Sequence, residues 1–474
     1  MRKNILHVIT ICVFLIGLPG LNFGQDYLDL GAIEQFSLYS INGAVSSTGV
    51  SDIKEPGRVG VDIGAISGFP FQIVENGNET TAQAKEDLLK VYISLNNIPV
   101  TDFDHPAAFT GGTISPGVYL IPSAGSISGT VILDGTDEMG DETPDAVFII
   151  KYQGAFSMGA GAIVELAGGT KAGNVYWLAE GASSIGAAAD MIGTLIAHPG
   201  AVSMGAGCTL VGRMLSTSGA ITVSTSTVTK PGSSRIEFTP VDNTNPMILK
   251  TADYPNLTEF TLFGSAGAVS NTGISGVIGD IGTNAGAVSG WASSVVLGNI
   301  ENEVPVTSDA KDELSDLYDE LTGYTHGTIN ETHIPALGDG ETLYPGVYSI
   351  AAAGTLSGIL TLDGRTNGEG HPKPDAVFIF KFGGAFSTGV GSRVVFTGGA
   401  RSCNVFWIAE GAIGIDAFTS MKGTTIANNG ANSMRGNAFH EGRMFSTGGA
   451  VNFNTATAFF SSPAAFGADG ADGE

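Results

Sequence analysis

Histidine is the side chain best suited to proton transfer near neutral pH, so histidines are the first candidates for chemistry in this sequence. After a hydrophobic amino-terminal segment, the chain carries His105, His198, His326, His333, His371 and His440. Only His105 and His333 occupy comparable places in the two halves of the chain, in proline-containing loops, and no nucleophile recurs beside them. We therefore interpret the histidines as surface or loop residues and expect no catalytic role.

Two pairs of acids recur at matching places, Asp145 with Asp375 and Glu180 with Glu410. Polysaccharide-cleaving enzymes built on parallel β-solenoids need clustered aspartates with a basic residue on one face. Here each repeated acid lies beside an apolar run, with no second acid at a fixed spacing. The pattern favours a structural role for these acids and a protein that is not an enzyme.

The segment LDGTDEMGDE at 133–142 offers Asp134, Asp137, Glu138 and Asp141, and carboxylate oxygens are ligands that calcium prefers. The matching segment LDGRTNGEGH at 362–371 lacks most of these acids. An acidic surface loop is the favoured interpretation, with calcium binding at 133–142 as the open alternative. Short strings such as GAG at 159–161 lack the flanking strand and helix of a dinucleotide site, so we predict no cofactor and no metal.

The most frequent motif of the chain carries nothing more reactive than a hydroxyl. It reads glycine, alanine, an apolar residue and serine, as in GAVSSTG at 43–49, GAFSMGAG at 154–161 and GAFSTGVG at 384–391. Side chains alternate between the two faces of a strand, so the apolar residues should point inward and the hydroxyls outward, with glycine at the corner. The predicted outward row is Ser128, Ser157, Ser184, Ser203 and Thr222 in the first half, and Ser357, Ser387, Gly414, Ser433 and Asn452 in the second.

The chain is a tandem duplication. PDAVFIIKYQGAFSMGAG at 144–161 returns as PDAVFIFKFGGAFSTGVG at 374–391, and NVYWLAEGA at 174–182 returns as NVFWIAEGA at 404–412. We predict two homologous domains at 26–229 and 254–458, a polar, proline-containing linker at 230–253 and a flexible tail at 459–474.

Within each half the motif repeats at a shorter period. Its last four glycines fall at 154, 181, 200 and 219, and at 384, 411, 430 and 449, so both series are spaced by 27, 19 and 19 residues. Nineteen residues suit one coil of three short strands and three turns, stacked on its neighbours. The sequence therefore predicts two all-β-dominated solenoid domains.

One segment in each half has helical periodicity instead. Segment 80–98 places Ala84, Leu88, Tyr92 and Leu95 on one face, and segment 307–324 does the same with Ala310, Leu314, Leu317, Tyr318 and Leu321. We expect each helix to dock its apolar stripe along its own solenoid, with Thr307 as the cap of the second helix.

The amino terminus reads as a secretory leader, because Arg2 and Lys3 precede an apolar run from Ile5 to Leu18. We predict removal of residues 1–25 and an exported, extracellular protein.

The formal net charge of −25 argues against nucleic acid and anionic membranes as partners. Cys208 and Cys403 lie in different halves and are interpreted as small buried hydrophobic residues.

Several segments of the second half of the chain together resemble one family. They are NTGISGVIGDIGTNAGAVSG at 271–290, YPGVY at 344–348, CNVFWIAEGA at 403–412 and GRMFSTGGAVNFNT at 442–455, with the PDAVFIFKFGGAFSTG run. The chain resembles the microbial ice-binding proteins over nearly all of both domains. The resemblance implies tandem right-handed, discontinuous β-solenoids of triangular cross-section with one helix packed alongside each. It also implies adsorption to ice through a flat face, with growth and recrystallisation of ice inhibited.

The hydroxyl row is a candidate for that contact on physical grounds, because short side chains on a stiff scaffold lose little entropy on binding. A flat, repetitive ligand such as crystalline water fits such a surface better than a folded partner does. The alternative is an extracellular adhesion or glycan-binding module, and we expect a monomer in either case.

Domain 1 is predicted to be the better ice binder, because its row lacks the substitutions Gly414 and Asn452. Domain 2 also has long or charged side chains in or near the following strand, at Arg393, Met421, Lys422, Arg435 and His440.

Overall fold

The computed structural model describes residues 26–460, apart from 99, 102–104, 138, 233–236, 239–245, 325–329, 367 and 369–370. The predicted leader at 1–25, the tail beyond residue 460, Glu138 and His326 therefore lie outside the described residues. Each half of the chain forms a parallel β-solenoid with three faces and one long helix, as predicted. We name the faces the helix face, which the helix covers, the ladder face, which carries the hydroxyl row, and the third face.

In domain 1 the strands are short and every pairing within the solenoid is parallel. The helix face consists of Gly117–Ile121, Phe148–Tyr152, Val175–Ala179, Asp190–Ala197, Thr209–Ser216, Phe36–Asn42, Arg58–Ile63 and Val74–Asn76. The ladder face consists of Ile66–Ser67, Val45–Thr48, Ile221–Ser224, Val202–Met204, Ser183–Ile185, Phe156–Met158, Gly125–Ile127 and Ala108–Phe109. The third face consists of Gly112–Ile114, Thr130–Asp134, Ile163–Ala167, the first halves of Asp190–Ala197 and Thr209–Ser216, Thr227–Thr229 and Asp52–Lys54.

Domain 2 repeats this plan with three separate sheets. Its helix face consists of Ile300–Asn302, Asp280–Thr283, Phe260–Gly264, Met444–Ser446, Thr424–Ala427, Val405–Ala409, Phe378–Phe382, Gly346–Ile350 and Asn330–Thr332. Its ladder face consists of Val288–Ser289, Val269–Thr272, Val451–Asn454, Asn432–Arg435, Ile413–Ile415, Phe386–Thr388, Gly354–Ser357 and Ala336–Gly338. Its third face consists of Val295–Leu297, Gly276–Ile278, Thr457–Phe459, Phe439–Glu441, Ser420–Lys422, Arg393–Thr397, Ile359–Asp363 and Glu341–Leu343.

The coils do not stack in chain order. Strand Val45–Thr48 pairs with Ile221–Ser224, so the first coil of domain 1 stacks on its last coil. Strand Val269–Thr272 pairs with Val451–Asn454 in the same way in domain 2. The solenoids are therefore discontinuous, which places residues about 180 positions apart side by side.

The interior of each triangle is filled by the inward-facing apolar residues of all three faces. Trp177 and Trp407 are fully buried there, and each indole N–H donates to a backbone carbonyl at 2.9 Å. Cys208 and Cys403 are also buried, which confirms their predicted character.

The two helices are α1 (Glu79–Asn97) and α2 (Pro305–Gly323). Their predicted stripes are buried against the helix faces, except that Tyr318 is only partly buried. The predicted cap at Thr307 is wrong by one helical turn. Val304 is the capping residue, and its N–H donates to the Thr307 hydroxyl at 3.0 Å, because Pro305 already takes the first helical position. Within the described residues, neither helix combines the length and the apolar character needed to cross a membrane.

Smaller elements complete the fold. Short 3-10 helices span Gly31–Gln35, Ala172–Asn174, Leu257–Glu259 and Ser402–Asn404, and strand Asp26–Tyr27 pairs antiparallel with Glu237–Phe238 of the predicted linker. Ile248 and Leu249, also assigned to the linker, pack in the cluster around α2. Phe459, placed by the sequence at the start of the tail, is a buried strand residue, so the fold extends past that boundary.

Candidate functional site

The hydroxyl row of domain 1 is continuous across hydrogen-bonded strands. Ser157 pairs with Ser184, Ser184 with Ser203, and Ser203 with Thr222, as the motif spacing predicts. The row continues to Ser46, which pairs with Thr222, and then to Ser67. Sequence reasoning missed Ser46 and Ser67, although they belong to two further copies of the motif, GAVSSTG at 43–49 and GAISG at 64–68. Their place in the row depends on the stacking of the first coil on the last one.

The predicted first member of the row is wrong in both domains. Ser126, and not Ser128, pairs with Ser157, because the residue in the inward position of that strand is Gly125. A Cβ on Gly125 would lie 2.1 Å from the ring carbon Cε1 of Tyr152, so the tyrosine ring occupies the space of the missing side chain. The glycine of this copy is therefore an inward-facing residue and not the corner glycine of the motif.

Domain 2 shows the same two-residue shift. Thr355, and not Ser357, pairs with Ser387, and Ser357 pairs with Gly338 further along the strand. A Cβ on Gly354 would lie 2.4 Å from the ring of Phe382. The corrected rows are Ser67, Ser46, Thr222, Ser203, Ser184, Ser157, Ser126 and Ala108 in domain 1, and Ser289, Ser270, Asn452, Ser433, Gly414, Ser387, Thr355 and Ala336 in domain 2.

The two rows differ in their hydrogen bonding. In domain 2 the Ser270 hydroxyl donates to Asn452 Oδ1 at 3.0 Å, and Asn452 Nδ2 donates to the Ser433 hydroxyl at 3.3 Å. These bonds occupy side-chain groups of three neighbouring strands. Gly414 contributes no side chain at all. Domain 1 presents seven hydroxyls where domain 2 presents five, so the domain 1 row is the more uniform one.

A row of methyl groups accompanies each row of hydroxyls. The residue two positions before each row member points to the same face. It is alanine throughout the first seven positions in both domains, namely Ala65, Ala44, Ala220, Ala201, Ala182, Ala155 and Ala124, and Ala287, Ala268, Ala450, Ala431, Ala412, Ala385 and Ala353. All of them are exposed or partly exposed. The ladder face therefore presents parallel stripes of methyls and hydroxyls.

The geometry of this face is regular because the backbone hydrogen bonds set it. Neighbouring strands lie about 4.8 Å apart, so eight row members span about 34 Å. The inward neighbours of the row, such as Phe156 and Val202, are buried in the core, which holds each strand in place. Short side chains on such strands have few rotamers to lose when a ligand binds. The face is thus flat, rigid and uncharged along the row itself.

The prediction that long or charged side chains roughen the surface of domain 2 is only partly correct. Met421 and His440 point into the core and are fully buried, so they cannot roughen a surface. Arg393 and Lys422 are partly buried on the third face, and Lys422 forms an ion pair with the buried Glu441. Only Arg435, at the end of a ladder strand, is exposed.

Buried histidines also correct the sequence interpretation. His198 and His440 are buried in the fold and are not surface residues, and burial lowers the pKa of each imidazole to about 4. His198 Nδ1 lies 2.8 Å from the Thr217 hydroxyl, and His440 Nε2 lies 2.7 Å from the carbonyl of Gly423. Both imidazoles are therefore tied into the packing.

The repeated glutamates are structural, as predicted. Glu180 accepts a hydrogen bond from Tyr92 of α1, and Glu410 accepts one from Tyr318 of α2. Each pair ties a helix to its solenoid.

In the acidic loop, Asp134 and Asp137 accept hydrogen bonds from nearby backbone amides at 2.9 Å. Glu138 of that loop is outside the described residues. Among the residues that the structure describes, no group of three or more His, Cys, Asp or Glu side chains is arranged to hold a metal ion.

The family model described as Ice-binding-like matches residues 40–229 and 263–458, which is most of both domains. The chain belongs to the ice-binding-like family. An ice-binding protein of Nostoc sp. strain HG1 is 29% identical over 210 residues, covering 44% of this chain and 74% of that protein. The ice-binding protein K3-B1 of Typhula ishikariensis is 24% identical over 190 residues, covering 39% and 74%.

One solved structure matches almost the whole chain. The crystal structure of an ice-binding protein from an Antarctic bacterium, Flavobacteriaceae, is 34% identical and covers 92% of this chain and 98% of that one, with a TM-score of 0.41.

Proposed function

We propose that this chain is a secreted ice-binding protein that adsorbs to ice through its ladder faces and inhibits ice growth and recrystallisation. The observation that carries the proposal is the unbroken row of seven hydroxyls in domain 1, in register with a row of alanine methyls. Membership of the ice-binding-like family supports it.

The physical argument concerns ordered water. Hydroxyls repeated at about 4.8 Å can each hold a water molecule at the same repeat, and the methyls between them do not compete for hydrogen bonds. Because the strands are held by backbone hydrogen bonds and a packed core, the water layer is ordered by a surface that is itself ordered. Such a layer can merge with a crystal face, whereas long charged side chains would keep their own mobile hydration.

The alternative is an adhesion or glycan-binding module. Sugar rings stack on exposed aromatic side chains, and all three tryptophans of the chain are buried in the fold. The ladder face carries hydroxyls and methyls instead, which favours ice.

The test is Ser203→Tyr in the full chain, which places a bulky ring in the middle of the domain 1 row. The matched control is Val211→Tyr, because Val211 is 39% exposed on the third face of the same coil. Substitutions at such exposed strand positions change the free energy of unfolding by about 0.5 kcal/mol. We expect Ser203→Tyr to reduce thermal hysteresis and recrystallisation inhibition, and Val211→Tyr to leave both unchanged.

The possible outcomes separate the alternatives. Loss of activity in Val211→Tyr alone would move the site to the third face. A wild-type protein without any recrystallisation inhibition would refute ice binding and leave the adhesion module, which a screen against immobilised glycans would then test. Export is tested separately, by sequencing the amino terminus of the protein recovered from culture medium, where we expect a start near residue 25.

A further inference from the structure

Helix α1 is apolar on two sides, whereas α2 is apolar on one. The two helices align with a difference of 226 in residue number, so that Leu88 corresponds to Leu314 and both are fully buried on their own solenoids. At the same offset, Leu89 corresponds to Ser315 and Ile93 to Asp319. Leu89 and Ile93 are 1% and 0% exposed, whereas Ser315 and Asp319 are exposed. The second side of α1 is therefore buried, whereas the same side of α2 is exposed.

The third face of domain 2 covers it. Ile278, Val295 and Phe459 of that face share one apolar cluster with α1. A Cβ on Gly276 would lie 2.6 Å from Leu89 Cδ1, so the glycine leaves the space that the leucine fills. The contact is close-packed and not a loose approach of two surfaces.

The corresponding positions on the third face of domain 1 are polar. By strand register, Ile278 corresponds to Lys54, Phe459 to Thr229 and Phe439 to Thr209. Of the two duplicated domains, only domain 2 therefore has an apolar surface for a helix, formed by Ile278, Phe439 and Phe459, which we name the seat. The second apolar side likewise exists on one helix only.

Polar contacts surround this apolar contact. Gln153 Nε2 of domain 1 donates to the carbonyl of Phe418 at 3.1 Å, and Asn437 Nδ2 of domain 2 donates to the carbonyl of Glu180 at 3.2 Å. His198 Nε2 lies 3.3 Å from the Thr457 hydroxyl. These bonds specify the orientation in which the two domains meet.

We infer that α1 is a docking element whose partner is the third face of domain 2 in the same chain, and that this contact makes the two domains one cooperative folding unit. The complementary differences between the two copies, at Leu89 and Ile93 on the helix and at Ile278, Phe439 and Phe459 on the seat, restrict the contact to this one pairing. The inference does not depend on what the ladder faces bind. It removes the part of the third face of domain 2 around Ile278, Phe439 and Phe459 from any role in contacting a ligand.

The experiment replaces the second apolar side of α1 by the polar residues that α2 has at the corresponding positions. The variant combines Leu89→Ser with Ile93→Asp in the full chain. Wild-type protein should unfold in a single calorimetric transition. The variant should show two transitions and a larger maximum dimension in small-angle X-ray scattering. Ala82→Ser, at an exposed position of the same helix, is the control and should keep one transition.

A second variant leaves the helix unchanged. Phe439→Thr installs the residue that domain 1 has at the corresponding position, and it should split the transition in the same way. Phe439→Thr also tests the inference if the double variant fails to fold. A wild-type chain with two independent transitions, or a Phe439→Thr variant with one transition at the wild-type temperature, would overturn the inference.

Discussion

Replacement of Glu180 by glutamine should make the protein more stable at neutral pH and remove part of its pH dependence. Glu180 Oε1 accepts a hydrogen bond from Tyr92, whereas Oε2 is buried and has no hydrogen-bond partner among the described residues. The site lies where domain 2 covers domain 1, beside Asn437 and Phe439. Burial raises the pKa of this carboxyl from its ordinary 4.5 to about 8.

The direction of the effect follows from proton binding. Below pH 4.5 the carboxyl is protonated in both the folded and the unfolded chain, so it contributes no pH dependence. Between pH 4.5 and 8 the unfolded chain releases this proton and the folded chain keeps it, so the free energy of unfolding falls as pH rises. At pH 7 the difference from 4.5 is 2.5 pH units, which at about 1.36 kcal/mol each corresponds to an upper limit of about 3 kcal/mol.

Lys151 and Arg393 line the same interdomain cavity as Glu180. Burial lowers the pKa of Lys151 well below its ordinary value and lowers the pKa of Arg393 to about 10. The imidazole of His198 stacks on the ring of Tyr92, and burial lowers the pKa of this imidazole to about 4. Their contributions are common to the wild type and to Glu180→Gln. The difference between the two proteins therefore isolates the glutamate.

The assay is chemical denaturation of wild type, Glu180→Gln and Glu410→Gln at pH 5, 7 and 9. Glu410 is the matched control, because it is the exposed counterpart in domain 2 and receives hydrogen bonds from both Tyr318 and Asn428. We expect Glu180→Gln to gain up to about 3 kcal/mol at pH 7 and less than about 1 kcal/mol at pH 5 relative to wild type. Parallel pH profiles for wild type and Glu180→Gln would refute the reasoning, as would an equal gain in Glu410→Gln.

Two further predictions concern the helix of domain 2 and the ranking of the two rows. Leu317→Asp buries an unpaired charge under α2 and should lower the free energy of unfolding by about 3 kcal/mol or more. The control Ser315→Asp, on the exposed side of the same helix, should have little effect. If calorimetry gave Leu317→Asp and wild type the same melting temperature, α2 would not dock on its solenoid. Ser203→Tyr should reduce thermal hysteresis more than Ser433→Tyr, at the corresponding position of domain 2, because the domain 1 row has more hydroxyls. The opposite order, measured on full-length variants, would make domain 2 the stronger ice-binding domain.

Much of the fold can be predicted from the sequence, because it depends on patterns within short segments. The 27-19-19 spacing predicts stacked coils, since one coil of a solenoid must return the chain to the same face. The stripes of α1 and α2 predict helices on the solenoid side. The row from Ser157 to Thr222 follows from the same spacing, because each coil, whether of 27 or 19 residues, returns the chain to the same motif and so brings its serine or threonine beside the previous one.

The remainder of the candidate site depends on contacts between distant segments. Ser126 replaces Ser128 in the row because the ring of Tyr152, from the next coil, occupies the space beside Gly125, and no spacing within the chain reveals that contact. Ser46 and Ser67 join the row because the first coil stacks on the last, so their neighbours are set by hydrogen bonds across the discontinuity.

The second apolar side of α1 shows the same division between sequence and tertiary structure. Leu89 and Ile93 are visible in the sequence as apolar residues outside the predicted stripe, and by themselves they identify no partner. Their partner is a face assembled from strands at 276–278, 295–297 and 457–459, which become adjacent only when domain 2 is folded. The sequence alone therefore determined which elements form and which side of each is apolar. Packing between distant coils and between domains decided which side chains share a surface, because a side chain's neighbours across coils are set by hydrogen-bond register and volume, not by distance along the chain.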